Sequence, residues 1–185
     1  MKLDPVAFSS TAMPGQGPDV LRYRRIAAAL VLSAVFWLLA WYGDTVQSMV
    51  ATWQRSDTFA HGFLIAPISA WMIWRKRHAV AALDLRPDFR VLPLLALAGF
   101  GWLLGQLAGA GVAQQFGVVL MIPLLVWVIL GTAVVRTLAF PLCFLLFAVP
   151  FGEFLELPLM EHTADFTVAA LRLTGIPVYR EGQFF

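Results

Sequence analysis

Residues Val91–Pro150 read VLPLLALAGFGWLLGQLAGAGVAQQFGVVLMIPLLVWVILGTAVVRTLAFPLCFLLFAVP and carry one charged side chain, Arg136. No water-facing surface can be made from such a stretch, so its solvent is lipid. There the backbone has to satisfy its hydrogen bonds internally, as a helix does. The run divides into three helices, Val91–Ala110, Gln115–Leu130 and Val134–Val149, each close to the length that crosses about 30 Å of hydrocarbon at 1.5 Å per residue. Within the first of them Gly101, Gly105 and Gly109 recur every fourth residue, a small-residue stripe that predicts close helix packing.

Upstream, Ile26–Tyr42 and Phe59–Trp74 read as two further spans. Trp37, Trp41, Tyr42, Trp71 and Trp74 fall near their ends, where amphipathic rings sit at headgroup level. The whole composition agrees: 60% hydrophobic and 13% charged residues, against about 45–50% and about 25% for soluble domains. A net charge of +2, with no basic polar face, argues against a nucleic-acid partner. The partner that composition demands is the lipid bilayer.

The basic residues set an expected orientation. With the N-terminus in the cytoplasm, ten of the thirteen lie inside: Lys2, Arg22, Arg24 and Arg25 in a tail (1–25), Arg75, Lys76, Arg77, Arg86 and Arg90 in a loop, and Arg136 in a turn. Seven of the eleven acids then lie outside. That asymmetry follows the positive-inside rule for a multi-pass protein of a bacterial plasma membrane. The tail is too long for a usual signal-peptide n-region, and no small-residue cleavage site follows the first apolar run, so that helix reads as uncleaved.

Beyond the bundle (26–150), residues 151–185 change character. Pro158 opens and Gly175 with Pro177 closes an amphipathic helix, Pro158–Thr174. Glu161, Asp165 and Arg172 share one face of it; Leu159, Phe166, Ala169, Ala170 and Leu173 share the other. It is expected on the outer surface. Ile176–Phe185 reads as extended, with a turn at Glu181-Gly182 and a closing apolar pair, the expectation being a hairpin cut before its second strand. The predicted fold is an all-α polytopic membrane protein of about five transmembrane helices, an outer amphipathic helix and a truncated hairpin.

Few residues offer chemistry. Cys143, the single cysteine, lies mid-membrane with no base or cation near it in sequence. Apolar surroundings disfavour the thiolate a nucleophile needs, so it is expected in the core. His61 follows Asp57 at a helix end and has two open readings, a functional residue or an interfacial histidine capped by water or Asp57. Glu161 and His162 point about 100° apart and the His-Glu-x-x-His spacing is absent, so no metal is expected. Arg172 balances the Glu161–Asp165 pair.

Three blocks carry a resemblance. Phe59–Pro67 (FAHGFLIAP) resembles the Ser-His-Gly-Phe-Leu-type signature of the exosortase/archaeosortase family. Pro141–Leu155 (PLCFLLFAVPFGEFL) and Leu171–Gly182 (LRLTGIPVYREG) are similar to two further family blocks in the same order. Together, from about Arg22 to Phe185, they resemble the exosortase A branch of bacteria with exopolysaccharide gene clusters. The resemblance implies a membrane cysteine transpeptidase or peptidase acting on exported proteins with a C-terminal Pro-Glu-Pro tag, a transmembrane helix and a basic tail, and it implies no cofactor. The implied reaction is thiolate attack on the tag's peptide bond, giving an acyl-enzyme, with an arginine and a basic residue supporting the thiol and the oxyanion. The family's nucleophile lies in an Ala-Cys-Ser-Gly block after the Glu-Gly turn, with its basic partners later still. Residues 1–185 hold no such block and Cys143 does not match it, so the chain alone is expected to be inactive. The residues that match are supporting ones: His61 and Gly62; Pro150, Gly152 and Glu153; Gly175, Pro177, Glu181 and Gly182. Glu161 and Asp165 join them as outer-face candidates. The alternative is a non-catalytic scaffold or degenerate family member. A transporter subunit fits less well, since it would need ionisable residues within the spans and Val91–Pro150 offers only Arg136, placed in a turn.

Overall fold

In the computed structural model residues 18–173 are described, with side chains placed for residues 20–152 and 158–171. The chain runs through helices α1 (Pro18–Trp41), α2 (Gly43–Arg55), α3 (Gly62–Arg75), α4 (Arg77–Ala81), α5 (Leu92–Leu107), α6 (Gly111–Leu130), α7 (Thr132–Thr137), α8 (Ala139–Phe144) and α9 (Glu153–Leu173). Short 3-10 turns at Asp57–Phe59, Phe89–Val91 and Leu145–Ala148 join some of them. Three segments are long and apolar enough to cross a membrane: Val20–Trp41, Phe89–Leu107 and Gly111–Leu130. The chain is an all-α polytopic membrane protein. Residues 1–17 of the expected tail, and Gly175, Pro177, Glu181 and Gly182 of the expected hairpin, lie outside the described residues.

The first helix starts eight residues before the expected Ile26, because Pro18 suits a first helical position and nothing from Asp19 to Arg25 breaks the turn. Its successor was not anticipated. Helix α2 is amphipathic, but Thr45, Met49 and Thr52 are its buried residues, so part of its polar side faces protein. Hydropathy alone does not register a helix whose inward stripe is half hydroxyl.

The segment expected as one fifth span, Val134–Val149, starts earlier, at Thr132, and is broken into α7, α8 and the Leu145–Ala148 turn. The break has an identifiable cause. Pro141 lacks the N–H that would bond to the Thr137 carbonyl four residues back. That carbonyl instead accepts from Lys76 Nζ at 2.5 Å, and the Pro141 carbonyl accepts from the buried Ser69 hydroxyl at 2.9 Å. Side chains of α3 and its end thus repair the backbone that the proline opens, the condition under which irregular backbone is tolerated at membrane depth.

Helix α6 is the axis of the core. Thirty-nine per cent of its apolar window is buried, against six per cent for α1. Val119, Met121, Leu124, Val126 and Val128 enter three clusters with residues of α2, α3, α5 and the α7–α8 region. Of the predicted glycine stripe, Gly105 alone meets α6 closely, its missing Cβ position lying 3.0 Å from the Gln114 nitrogen. Gly101 faces open space, and Gly109 forms the left-handed turn between α5 and α6 (φ 66°).

Helix α9 begins at Glu153, five residues ahead of the predicted Pro158, and carries that proline inside it. Among its described side chains Ala164 and Val168, four apart, are buried, while Leu159 and Phe166 of the predicted apolar face are exposed. The small side chains, not the bulky ones, form its inward stripe.

Candidate functional site

At the α2–α3 corner, His61 lines a cavity. It occupies the position before α3, in αR backbone geometry, and its Nδ1 lies 2.9 Å from the Thr58 carbonyl. A carbonyl can only accept, so that geometry assigns the proton to Nδ1 and leaves Nε2 as the nitrogen with a lone pair in the neutral ring. The ring tilts against Phe59, with centroids 6.5 Å apart. Its Asp57-capped reading receives no support: the partner found is a backbone carbonyl.

Gly62 explains why a glycine follows. A Cβ there would land on the Trp53 indole. That indole spans the gap between elements, donating Nε1–H to the Ala148 carbonyl at 2.9 Å and meeting Phe63 edge-on at 5.3 Å. The absent side chain therefore lets one tryptophan tie α2, α3 and the Leu145–Ala148 turn together. After that turn, Pro150 is fully buried. Gly152 then takes φ 120°, a region L side chains rarely adopt, and redirects the chain into α9.

These pieces border a cavity of about 540 Å³ lined by Phe59, His61, Phe116, Cys143, Phe147 and Phe151 among others. Its wall is almost wholly apolar. A larger neighbour of about 820 Å³, between α5 and α6, shares Phe116 and Phe151 with it, and those two rings meet edge-on at 5.8 Å. Cys143 corrects the expectation of a core thiol: it is exposed and lines the cavity that His61 lines. In α8 the inward positions belong to Pro141 and Leu142, which turns the next residue outward. Eighty-two positions separate Cys143 from His61 in sequence, so only the tertiary fold brings them to one wall.

The remaining candidates disperse. Glu161 and Asp165 are exposed on α9, away from that lining. Glu153 opens α9, but its side chain is outside the described residues, as are Glu181 and Gly182. Among the described residues no three His, Cys, Asp or Glu side chains gather as a metal site.

Sequence reasoning missed a polar cluster between α2, α5 and α6. Trp102 Nε1–H donates to Thr45 Oγ1 at 3.0 Å. Ser48 donates to the Thr45 carbonyl at 2.7 Å and accepts from Gln115 Nε2 at 3.1 Å. Because the serine proton is committed, the Gln115 amide must present nitrogen to it, which leaves Oε1 buried without a partner. The signal was a hydroxyl every three to four residues in Thr45, Ser48 and Thr52.

Residues 53–185 match the model of the transmembrane exosortases, a span that begins at the bridging Trp53 and takes in the whole His61 corner. The chain belongs to the transmembrane exosortase family. No curated protein and no solved structure matches it. Within this exosortase-family chain, α1 and most of α2 precede the matched span.

Proposed function

We propose that the chain supplies the membrane scaffold and the His61 corner of a bacterial cysteine transpeptidase or peptidase that processes Pro-Glu-Pro-type tags at the C-termini of exported proteins. The observation that supports it is the family match across residues 53–185, falling on a corner built around one histidine and an apolar cavity. In this reading the N-terminus is cytoplasmic and the His61 end faces outward. The cavity shelters an apolar stretch beside the scissile bond. His61, held through Nδ1–H, offers Nε2 as an acceptor or donor of a proton. Glu153, Glu161, Asp165, Glu181 and Gly182 serve as supporting groups around that end.

The nucleophile in this reading belongs to an Ala-Cys-Ser-Gly segment, which residues 1–185 do not contain. Cys143 stays a cavity-wall residue. The experiment has two parts. Coding DNA is read past the Phe185 codon, and residues 1–185 are co-expressed with a tagged, exported reporter. A frame that continues into such a segment, with an uncleaved reporter for the 185-residue chain and a cleaved one for the extended chain, supports the proposal. Cleavage by the 185-residue chain that Cys143→Ser abolishes overturns the assignment of the nucleophile. A stop codon after Phe185 replaces the enzyme with a non-catalytic scaffold.

A further inference from the structure

At the end of the bundle opposite His61, a third cavity of about 310 Å³ opens between α1, the α3–α4 junction, the end of α6 and the α7–α8 junction. Its walls are of two kinds. Ile73, Leu130 and Leu138 make it apolar within, while Arg24, Trp74 and Arg77 line it with two guanidinium groups and an indole. Arg24 is fixed in place: its terminal nitrogens donate to the Val80 and Leu83 carbonyls at 3.3 and 2.7 Å. Arg77 lies 4.1 Å above the Trp74 ring and donates to the Trp74 carbonyl at 3.1 Å. Neither arginine has a carboxylate partner among the described residues. Arg22, Arg25, Arg75 and Lys76 are exposed nearby in sequence and add to the positive potential.

The geometry points to a binding site for an anionic phospholipid, with its phosphate on Arg24 and Arg77 and the upper part of one acyl chain against Ile73, Leu130 and Leu138. Two guanidinium groups without a carboxylate partner favour an anion, and basic pockets between membrane helices meet lipid headgroups in this way. The apolar interior decides the source of that anion. A free phosphate gains nothing from hydrocarbon walls, whereas an acyl chain removes them from water. The exposed tryptophan beneath Arg77 fits headgroup depth. Because α1 is attached to the rest by few buried side chains, a lipid seated here would also bridge α1 to α3 and α4.

The test uses the purified chain in phosphatidylcholine micelles, titrated with phosphatidylglycerol and followed by thermal unfolding and by native mass spectrometry. Phosphatidylglycerol is expected to raise the melting temperature and to stay bound; inorganic phosphate at equal concentration is not. Arg77→Gln should weaken the apparent affinity about fivefold, the effect of removing one basic group near a membrane surface. Ala81→Phe, which puts a ring into the cavity without changing charge, should also reduce retention. Arg90→Gln, outside the cavity, should leave it unchanged. An equal loss with Arg90→Gln would make the effect one of diffuse surface charge and end the proposal. So would an equal response to inorganic phosphate, retention undiminished in both cavity variants, or no preference over phosphatidylcholine.

Discussion

Gly62 and Gly101 differ by what a single methyl group would meet. At Gly62 it would enter the Trp53 indole, a rigid ring already held by its bond to the Ala148 carbonyl. Gly62→Ala is therefore expected to cost about 1–3 kcal/mol, read as a melting point lower by several degrees at about 2–4 °C per kcal/mol. Gly101→Ala meets open space and should change little, or raise the melting point slightly through helix propensity. Similar losses in both would mean that Trp53 does not sit over Gly62. Cys143 is the chain's single cysteine, so labelling is unambiguous. A small membrane-permeant maleimide should modify it in the folded, detergent-solubilised protein, whereas a thiol in the core would react only after unfolding. The Gly62 contact was half legible in sequence. A glycine after His61 was visible as a motif; the tryptophan it accommodates was not, because Trp53 belongs to a helix that hydropathy does not detect.

Among the elements, the α7–α8 region and the loop before α5 show how short pieces are held in register. Ser69 is one per cent exposed and its hydroxyl reaches the Pro141 carbonyl. Ser69→Ala removes that donor and should cost about 1 kcal/mol, nearer the modest average for bonds within membrane bundles than the full desolvation penalty; an unchanged melting point would show that the carbonyl finds another donor. At the other end, Asp88 receives the Arg90 N–H on Oδ1 at 3.2 Å and the Thr132 hydroxyl on Oδ2 at 2.9 Å. Thr132 in turn accepts from Trp127 Nε1 at 2.8 Å. Gly131 (φ 87°) passes directly beneath the Arg86 carbonyl, where a Cβ could not fit. Asp88→Ala breaks both a cap and a bridge, so its expected loss is about 1–2 kcal/mol, checked by the same melts. The apolar run around α5 and α6 was legible because a long hydrophobic stretch has few alternatives in lipid. The break at Thr137–Pro141 was not. A proline inside an apolar run reads equally as a kink in one helix, and the choice depends on Lys76 and Ser69, far away in sequence.

For the whole molecule, the charge asymmetry makes the orientation testable. Reporter fusions at Leu83 and at Phe185 should give opposite readings: a cytoplasmic reporter active at Leu83, an exported one active at Phe185. A cytoplasmic signal at both would place an additional crossing after Pro150 and move the candidate supporting acids to the wrong side. Charge and hydropathy made the class of the protein legible and set an expected orientation, since both act over whole segments. They could not reveal that His61 and Cys143 share a wall, which depends on how α3 and α8 dock.

The thin attachment of α1 has a consequence for biosynthesis. With six per cent of its span buried against thirty-nine per cent for α6, α1 exposes an almost continuous apolar surface and asks for no protein neighbour to be stable in lipid. It can leave the insertion machinery as soon as it is made. Helix α6, whose Gln115 and neighbouring polar contacts need α2 and α5 in place, is comfortable only in company. Helices α2 and α3 wait instead for later partners, Thr45 and Ser48 for Trp102 and Gln115, Trp53 for the Ala148 carbonyl and Ser69 for the Pro141 carbonyl, whereas α6 emerges after the α2 and α5 groups that its glutamines contact.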